Sequence, residues 1–139
     1  MDEYTKPLPI PDLDTEPFWQ FCKAHELRAQ RCARCGKMRW PPQGVCRDCY
    51  CWDFEWVKLD GTGRVDSYVV VHHVILPAFS NDAPYVTAQI LLDGTEDRVR
   101  ITSNIVGCPW EQVKVGMRVR ALFEDVTPEV ALPKFRPDP

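Results

Sequence analysis

The chain has 139 residues, a formal net charge of −3 and 45% hydrophobic residues. This length and composition suit one ordinary domain or two small ones and argue against extensive disorder. The acidic balance disfavours a dedicated non-specific nucleic-acid binder, and no apolar run approaches the roughly 18–20 residues that a membrane span needs. Residues 1–6 contain no hydrophobic signal region, so we expect a cytoplasmic protein whose seven cysteines are reduced and favour metal over disulfides.

An amphipathic helix is predicted after a proline-rich arm. Residues 4–13 contain three prolines and are expected to be extended. The run Asp-Thr-Glu-Pro at 14–17 then offers a capping side chain, an acid and a first-turn proline, as helix starts do. Apolar and aromatic residues follow at helical spacing, at Phe18, Phe21, Cys22 and His25, with Trp19 beside them. Such a stripe packs either on its own domain or on a partner protein, and the sequence leaves both open.

Two CxxC pairs define the next segment, with cysteines at Cys32, Cys35, Cys46 and Cys49. Four thiolates in this arrangement match a closed tetrahedral zinc site, which has no open position for substrate. The sequence therefore predicts a structural zinc ion, with iron as the alternative occupant. Cys51 could compete for the fourth position, but the CxxC spacing favours Cys49.

The surroundings of the two cysteine pairs differ in one position and share a positive charge. Gly36 follows the first pair, as expected of a metal knuckle, whereas Tyr50 follows the second. Basic side chains outnumber acidic ones across this region, at Lys23, Arg28, Arg31, Arg34, Lys37, Arg39 and Arg47. Such a patch could hold the phosphates of a nucleotide cofactor or of RNA, or form an ordinary solvated surface.

β-rich segments dominate from Trp52 onward. Strands are predicted over 54–57, 64–75, 85–92, 98–106 and 117–126, with turns between most of them. The tail at 130–137 is predicted to be short and broken by proline. Five strands with almost no intervening helix predict a small closed antiparallel barrel.

Reactive side chains outside the cysteine pairs are few. His72 and His73 are adjacent in a predicted strand, so they face opposite ways and are expected to be ordinary strand residues. Cys108 lies in a loop, where a half-buried packing residue is favoured over a thiol beside an acyl thioester. No serine or cysteine nucleophile is recognisably partnered with a base.

The order of these segments resembles the OB-fold, acyl-CoA-associated family, which joins a rubredoxin-like zinc ribbon to an OB barrel. The resemblance runs from about residue 17 to residue 137 and rests on an aromatic helix, two CxxC knuckles around a Pro-Pro, a Gly-x-Gly turn, Pro84-Tyr85-Val86 and Phe135-Arg136-Pro137. It implies a mainly β fold with an N-terminal helix, a rubredoxin-like zinc ribbon and a five-stranded OB-fold barrel. The expected units are the arm and helix at 1–26, the ribbon at 27–52, and the barrel and tail at 53–139. The family's metal ligands fall on the same four cysteines.

The resemblance also implies a function. Members work beside thiolase-fold enzymes, which include acyl-CoA thiolases, acyltransferases and the thiolase-like aldolases that cleave steroid side-chain thioesters. They are usually not catalytic, and no catalytic residue carries over to this sequence. We therefore expect a zinc-containing accessory subunit in a hetero-oligomer with a thiolase-like catalytic subunit, sharing an acyl-CoA ligand and binding neither nucleic acid nor membrane.

A site for coenzyme A needs separate cationic and apolar parts. The residues that offer these are Arg34 and Arg39 in the ribbon, and Tyr68, His72, Tyr85, Phe135 and Arg136 in the barrel and tail. Two other classes of function stay open. An OB-fold could bind single-stranded nucleic acid through Arg98, Arg100 and the two tyrosines, and a stand-alone thioesterase would hydrolyse thioesters without a partner.

Overall fold

The computed structural model describes residues 4–139 and confirms the mainly β architecture, with an N-terminal helix, a three-stranded sheet and a closed five-stranded barrel. Residues 1–3 of the predicted arm lie outside this range. The helix α1 spans Glu16–Lys23, and the strands are β1 (Arg28–Cys32), β2 (Met38–Arg39), β3 (Phe54–Lys58), β4 (Thr62–Val71), β5 (Tyr85–Leu92), β6 (Arg100–Ile105), β7 (Arg118–Asp125) and β8 (Ala131–Pro137). Short 3₁₀ turns occur at Pro77–Phe79 and Trp110–Gln112.

The helix α1 packs on its own chain. The turn before it is held by an Asp12 carboxylate that accepts hydrogen bonds from the backbone N–H groups of Asp14 and Thr15, at 2.9 and 2.8 Å, while the N-cap Thr15 makes no side-chain capping bond. Phe18 and Cys22 are buried on its inner face, and the Phe18 ring meets the Trp40 ring edge-on at 4.9 Å. Of the two alternatives for the aromatic stripe, the structure shows packing within the domain for its central residues.

The three-stranded sheet carries the cysteine ribbon and has the order β2-β1-β3. Strand β3 pairs antiparallel with β1 from Arg28↔Lys58 to Cys32↔Phe54. The expectation that this strand opens the barrel was therefore wrong, because its partner lies in the ribbon. The proposed boundary after residue 52 stays a prediction.

The barrel closes through the order β4-β5-β6-β8-β7, so its fifth strand is β8. The expectation of a proline-broken tail was wrong, because residues 131–137 form the continuous strand β8. The position of this strand in the barrel accommodates its prolines. Proline is tolerated where a strand lacks a full ladder on one side, and β8 pairs along its length with β7 but meets β6 at one parallel pair, Ile105↔Phe135. We call the region where β6 and β8 face each other the β6–β8 seam.

The barrel core consists of the inward-facing side chains of alternating strand positions. Val65, Ile90, Val99, Val119 and Phe135 are each at most 1% exposed. The strand predicted over 98–106 is confirmed at its centre as β6, in which Ile101 and Ser103 are buried and Arg100 and Thr102 are exposed. Within residues 4–139, every helix is too short or too polar to cross a bilayer.

Candidate metal centre and ligand surfaces

The four cysteines of the CxxC pairs converge on one point. The sulfur atoms of Cys32, Cys35, Cys46 and Cys49 all lie within 4.8 Å of one another. The Sγ atoms of Cys32 and Cys49 are 3.5 Å apart, and those of Cys35 and Cys46 are 3.7 Å apart. A tetrahedron with Zn–S bonds of about 2.3 Å has sulfur–sulfur edges of about 3.8 Å, so the sulfur positions fit zinc. Cys51 lies outside this cluster and directs its Sγ toward the carbonyl oxygen of Asp53.

The two knuckles have the same backbone geometry in spite of their different sequences. The Gly36 N–H donates to the Cys32 carbonyl at 3.1 Å, and the Tyr50 N–H donates to the Cys46 carbonyl at 2.8 Å. Gly36 has φ of 75° and Tyr50 has φ of 64°. Glycine adopts this left-handed conformation freely, whereas tyrosine does so at a cost. The second knuckle therefore forms the same turn as the first, with strain at Tyr50.

Backbone amides around the cluster favour thiolates. The N–H groups of Cys35 and Arg34 point at the Cys32 sulfur and lower the pKa of this thiol to about 6. The N–H groups of Cys49 and Asp48 likewise lower the pKa of Cys46. The N–H of Cys51 favours the Cys49 thiolate, but burial and the neighbouring cysteine sulfurs outweigh it and raise the pKa of Cys49 to about 12. A bound cation would offset the repulsion among these sulfurs.

Four sulfur ligands complete the coordination of a zinc ion. No coordination position then remains for a substrate or an activated water. The donor set therefore fits a metal that stabilises the fold, because the ribbon has few buried apolar residues of its own.

Three of the seven cations in the predicted patch have carboxylate partners. Arg28, Arg31 and Lys37 lie 2.8, 3.8 and 3.9 Å from carboxylate oxygens of Glu26, Glu55 and Asp48 respectively. Within residues 4–139, the cations of the patch without a carboxylate within 4.0 Å are Lys23 at the end of α1 and, in the ribbon, Arg34, Arg39 and Arg47. Arg34 is exposed and stays available to a ligand.

Arg39 is a buried residue that stabilises the ribbon. It is 2% exposed, and its guanidinium donates to the Gln30 side chain and to the Gln43 carbonyl while lying 4.7 Å from the Phe54 ring centre. Its Nη1 is buried without a hydrogen-bond partner in the described part of the chain. A ligand does not reach the charge of Arg39, because the protein encloses it.

The five ligand candidates in the barrel and tail do not form one pocket. Phe135 is fully buried in the core, so a ligand does not reach it, whereas Arg136 next to it is exposed. Tyr68 is half-buried against the core, and exposed His72 contacts the Trp110 ring edge at 5.2 Å. Tyr85 alone among these residues lines one of the two cavities described next.

Two open cavities flank the β6–β8 seam. The larger, of about 590 Å³, lies between the arm, the 3₁₀ turn at Pro77–Phe79 and the ends of β5 to β8. The smaller, of about 330 Å³, lies between α1 and the seam. Both are lined by Asn104, Leu132 and Lys134. Lys134 was not among the predicted site residues, although its place beside the inward-facing Phe135 would have put it on the outer face of a strand.

The two thiols outside the ribbon and its knuckles are poor nucleophiles. Burial raises the pKa of Cys22 to about 12 and also raises the pKa of Cys108. The thiolate is the reactive form of cysteine. Neither thiol is therefore prepared to attack a thioester at neutral pH.

Two family models match the chain in the same order as its structural units. The model described as "ChsH2, rubredoxin-like zinc ribbon domain" matches residues 19–57, and the one described as "ChsH2, C-terminal OB-fold domain" matches residues 56–124. The four-cysteine cluster falls within the first match.

Similar proteins are named as subunits or scaffolds. A probable enoyl-CoA hydratase alpha subunit of Thermomonospora curvata is 38% identical over 95% of the chain, which spans only 40% of that subunit. A DUF35 domain-containing scaffold protein of Methanocaldococcus jannaschii is 42% identical over 69% of the chain and 66% of the scaffold. A solved "Ltp2-ChsH2(DUF35) aldolase" chain superposes with a TM-score of 0.83 at 36% identity, covering 94% of this chain and 98% of that one.

Proposed function

This chain belongs to the family of ChsH2-type (DUF35) proteins, and from that membership we propose that it is a non-catalytic, zinc-containing accessory subunit of a thiolase-fold enzyme. The enzyme would be an acyl-CoA thiolase, an acyltransferase or a steroid side-chain retro-aldolase. The chain would stabilise this catalytic subunit and help to form its acyl-CoA site. It would work in the cytoplasm, in a hetero-oligomer.

One observation carries the proposal. The chain matches nearly the whole length of a chain from a solved structure named as an Ltp2-ChsH2(DUF35) aldolase. The similarity to a scaffold protein supports a role in assembly. The similarity to an enoyl-CoA hydratase subunit supports an acyl-CoA ligand, although this chain corresponds to only part of that protein.

The chemistry of the chain supports an accessory role over catalysis. The four-sulfur cluster leaves no open metal position, and the thiols of Cys22 and Cys108 are held protonated. Exposed apolar side chains that a partner could cover occur in the arm at Ile10 and Leu13 and in the loop after β4 at Ile75 and Leu76.

The acyl-CoA part of the proposal rests on separate cationic and apolar surfaces. Arg34 on the ribbon and Arg136 on the barrel are exposed cations that could contact phosphates. Tyr85 and the larger cavity, which it lines, offer partly apolar surface. The partner would supply the rest of the site, so the isolated chain should bind acyl-CoA weakly.

In the structure, the two arginines proposed for nucleic-acid binding already have carboxylate partners. Arg98 donates to the Asp48 carboxylate at 2.6 Å, and Arg100 donates to the Asp66 carboxylate at 2.9 Å. Both arginines are therefore already neutralised on the barrel surface, and Tyr68 is half-buried. A salt-dependent oligonucleotide titration should show no specific binding, and tight binding would favour this alternative.

Co-purification tests the proposal directly. The chain would be tagged in its native cell, isolated without chelator, and its partners identified by mass spectrometry. We expect a thiolase-fold protein at a fixed ratio to the chain, and acyl-CoA turnover by the complex but not by the chain alone. Turnover by the isolated chain at a rate comparable with that of the complex would overturn the accessory role.

A further inference from the structure

A half-buried lysine stands between the two cavities of the β6–β8 seam. Lys134 lies on β8, and both cavities include its side chain in their walls. Its Nζ donates to the Asn104 Oδ1 at 2.6 Å. Within residues 4–139 no carboxylate oxygen lies within 4.0 Å of this ammonium group. Lys134 is therefore a cation that has a hydrogen-bond partner but no ion-pair partner.

The orientation of the ammonium group is fixed by its partner. The Asn104 amide nitrogen donates to the Val86 carbonyl at 2.9 Å and lies 3.5 Å from the Thr87 hydroxyl. These bonds hold the Asn104 amide so that its oxygen faces Lys134. An ammonium group has three donors, and the Asn104 bond uses one of them. The other two are available to a ligand in the adjoining cavities.

The local charges differ between the two cavities. Glu124 and Asp82 line the larger cavity, where Asp82 is paired with Lys6 at 2.6 Å. Glu124 has no such cation within 4.0 Å in the described part of the chain and would repel a second anion there. Among residues 4–139, no acidic side chain lines the smaller cavity, and Lys134 is the one charged residue in its wall. An anion is therefore favoured on the side of the smaller cavity.

The rest of the smaller cavity is mainly apolar. Its walls are formed by Phe18, Trp19 and Trp40 from the helix and ribbon, and by Ile101, Leu132 and Pro133 from the barrel. Its volume of about 330 Å³ lies at the lower end of the range for small-molecule sites, about 300–1,000 Å³. Burial lowers the pKa of Lys134, as expected for an amine beside apolar walls.

We propose that the smaller cavity is a binding site for an apolar carboxylic acid, whose carboxylate contacts Lys134 and whose hydrocarbon part lies against Phe18, Trp19 and Trp40. A carboxylate would complete the ion pair that Lys134 lacks, and its charge-assisted hydrogen bonds are the strong kind. The site is formed by this chain alone and does not depend on the accessory role. An experiment that disproves one of the two proposals therefore leaves the other unaffected.

Tryptophan fluorescence of the full, zinc-loaded chain tests the site, because Trp19 and Trp40 form part of its wall. The probe is decanoate below its micelle concentration, and the uncharged comparison is decan-1-ol. We expect decanoate to bind at least about tenfold more tightly than decan-1-ol, as one charge-assisted contact predicts. Lys134→Met should remove that advantage and leave decan-1-ol binding within about twofold. Lys114→Met, an exposed cation elsewhere, is the matched control.

A second variant guards against misfolding of the first. Asn104→Asp would give Lys134 an internal carboxylate partner, which competes with the ligand, so decanoate should again bind about tenfold more weakly. Zinc content and circular dichroism verify that each variant is folded. Equal binding of decanoate and decan-1-ol, no binding of either, or unchanged decanoate affinity in folded Lys134→Met would overturn the proposal.

Discussion

Arg98, which precedes β6 in the barrel, donates through its Nη2 to the Asp48 carboxylate of the second knuckle at 2.6 Å. Its Nε also donates to the Met38 carbonyl at 3.0 Å. One side chain therefore contacts both halves of the ribbon. This contact makes the position of the metal cluster relative to the barrel depend on a barrel residue.

Arg98→Ala should loosen the ribbon from the barrel. Because both partners are about 30% exposed, at 27% and 31%, we expect a loss of only about 1 kcal/mol in the free energy of unfolding. The control is Arg100→Ala, whose ion pair with Asp66 lies within the barrel. Urea denaturation measures both, and hydrogen exchange should show faster opening of the ribbon in Arg98→Ala alone. Equal protection of the ribbon in the two variants would contradict a linking role.

Cys35→Ser should abolish stoichiometric zinc binding and unfold the ribbon. Zinc supplies roughly 10–16 kcal/mol to small modules of this kind, and a four-ligand site tolerates the loss of one thiolate poorly. Cys51→Ser is the matched control, since Cys51 lies outside the sulfur cluster. Metal analysis of protein purified without chelator should give one zinc per chain for the wild type and for Cys51→Ser. A folded wild-type chain without stoichiometric metal would refute the zinc site.

Tyr50→Gly should stabilise the zinc-loaded chain. Its left-handed backbone costs a tyrosine roughly 1–2 kcal/mol, while glycine adds about 0.5–1 kcal/mol of unfolded-state entropy. The net gain is about 0.5–1 kcal/mol, because the Tyr50 side chain is 75% exposed and loses little packing. Gly36→Ala at the equivalent position should lose about 1 kcal/mol. Thermal unfolding compares the two, and a destabilised Tyr50→Gly would show that the tyrosine ring makes a contribution to stability of its own.

Asp93 should contribute to stability at neutral pH and not in acid. The Arg118 guanidinium, followed by the Thr62 hydroxyl, holds the pKa of the Asp93 carboxyl below its ordinary value of 3.8. A pKa that is lower in the folded than in the unfolded state gives stability above the unfolded pKa. That stability is lost as the pH falls through the folded pKa. Asp93→Asn should therefore be less stable than the wild type at pH 7, and the difference should shrink below about pH 4.

The measurement is urea denaturation of both proteins across pH 3–7. Loss of zinc in acid affects both proteins and cancels in the comparison. A stability difference that is constant with pH would mean that Asp93 acts through its shape and not through its charge.

Arg34→Glu should raise the apparent KM of the complex for acyl-CoA more than it lowers kcat. The reason is that a phosphate contact made equally in the ground and transition states contributes only to uniform binding. Lys114→Glu carries the same charge change at an exposed loop of the barrel and serves as the control. Steady-state kinetics of the co-purified complex decide the question. An unchanged KM in Arg34→Glu would leave the ribbon as a folding and docking element.

Much of the fold could be predicted from local sequence patterns whose effect does not depend on tertiary contacts. The CxxC pairs determine where the ribbon folds, and the Phe18–Cys22 stripe determines which helix face is buried. The assignment of a strand to the ribbon or to the barrel failed where it depends on which strand it pairs with. The β3 segment looks like any half-buried strand, and nothing in its residues shows that it pairs with β1 rather than with a barrel strand.

The candidate site was less predictable than the fold because it depends on burial. Arg39 and Arg34 look alike in the sequence, but Gln30 and Gln43 enclose the first in the ribbon. Lys134 was missed because the seam that shelters it forms only when β8 closes the barrel. The helix and the two knuckles were predictable because the residues that define each of them lie within a few positions of one another along the chain.

The place of β8 as the last barrel strand along the chain also affects the order of events during synthesis. Residues 131–137 leave the ribosome after all other barrel strands, so until then β7 presents an unpaired edge and the Phe135 position in the core is vacant. Unpaired edges of this kind invite association with other chains. A truncation after residue 126 would make that transient state permanent, and we expect such a fragment to aggregate.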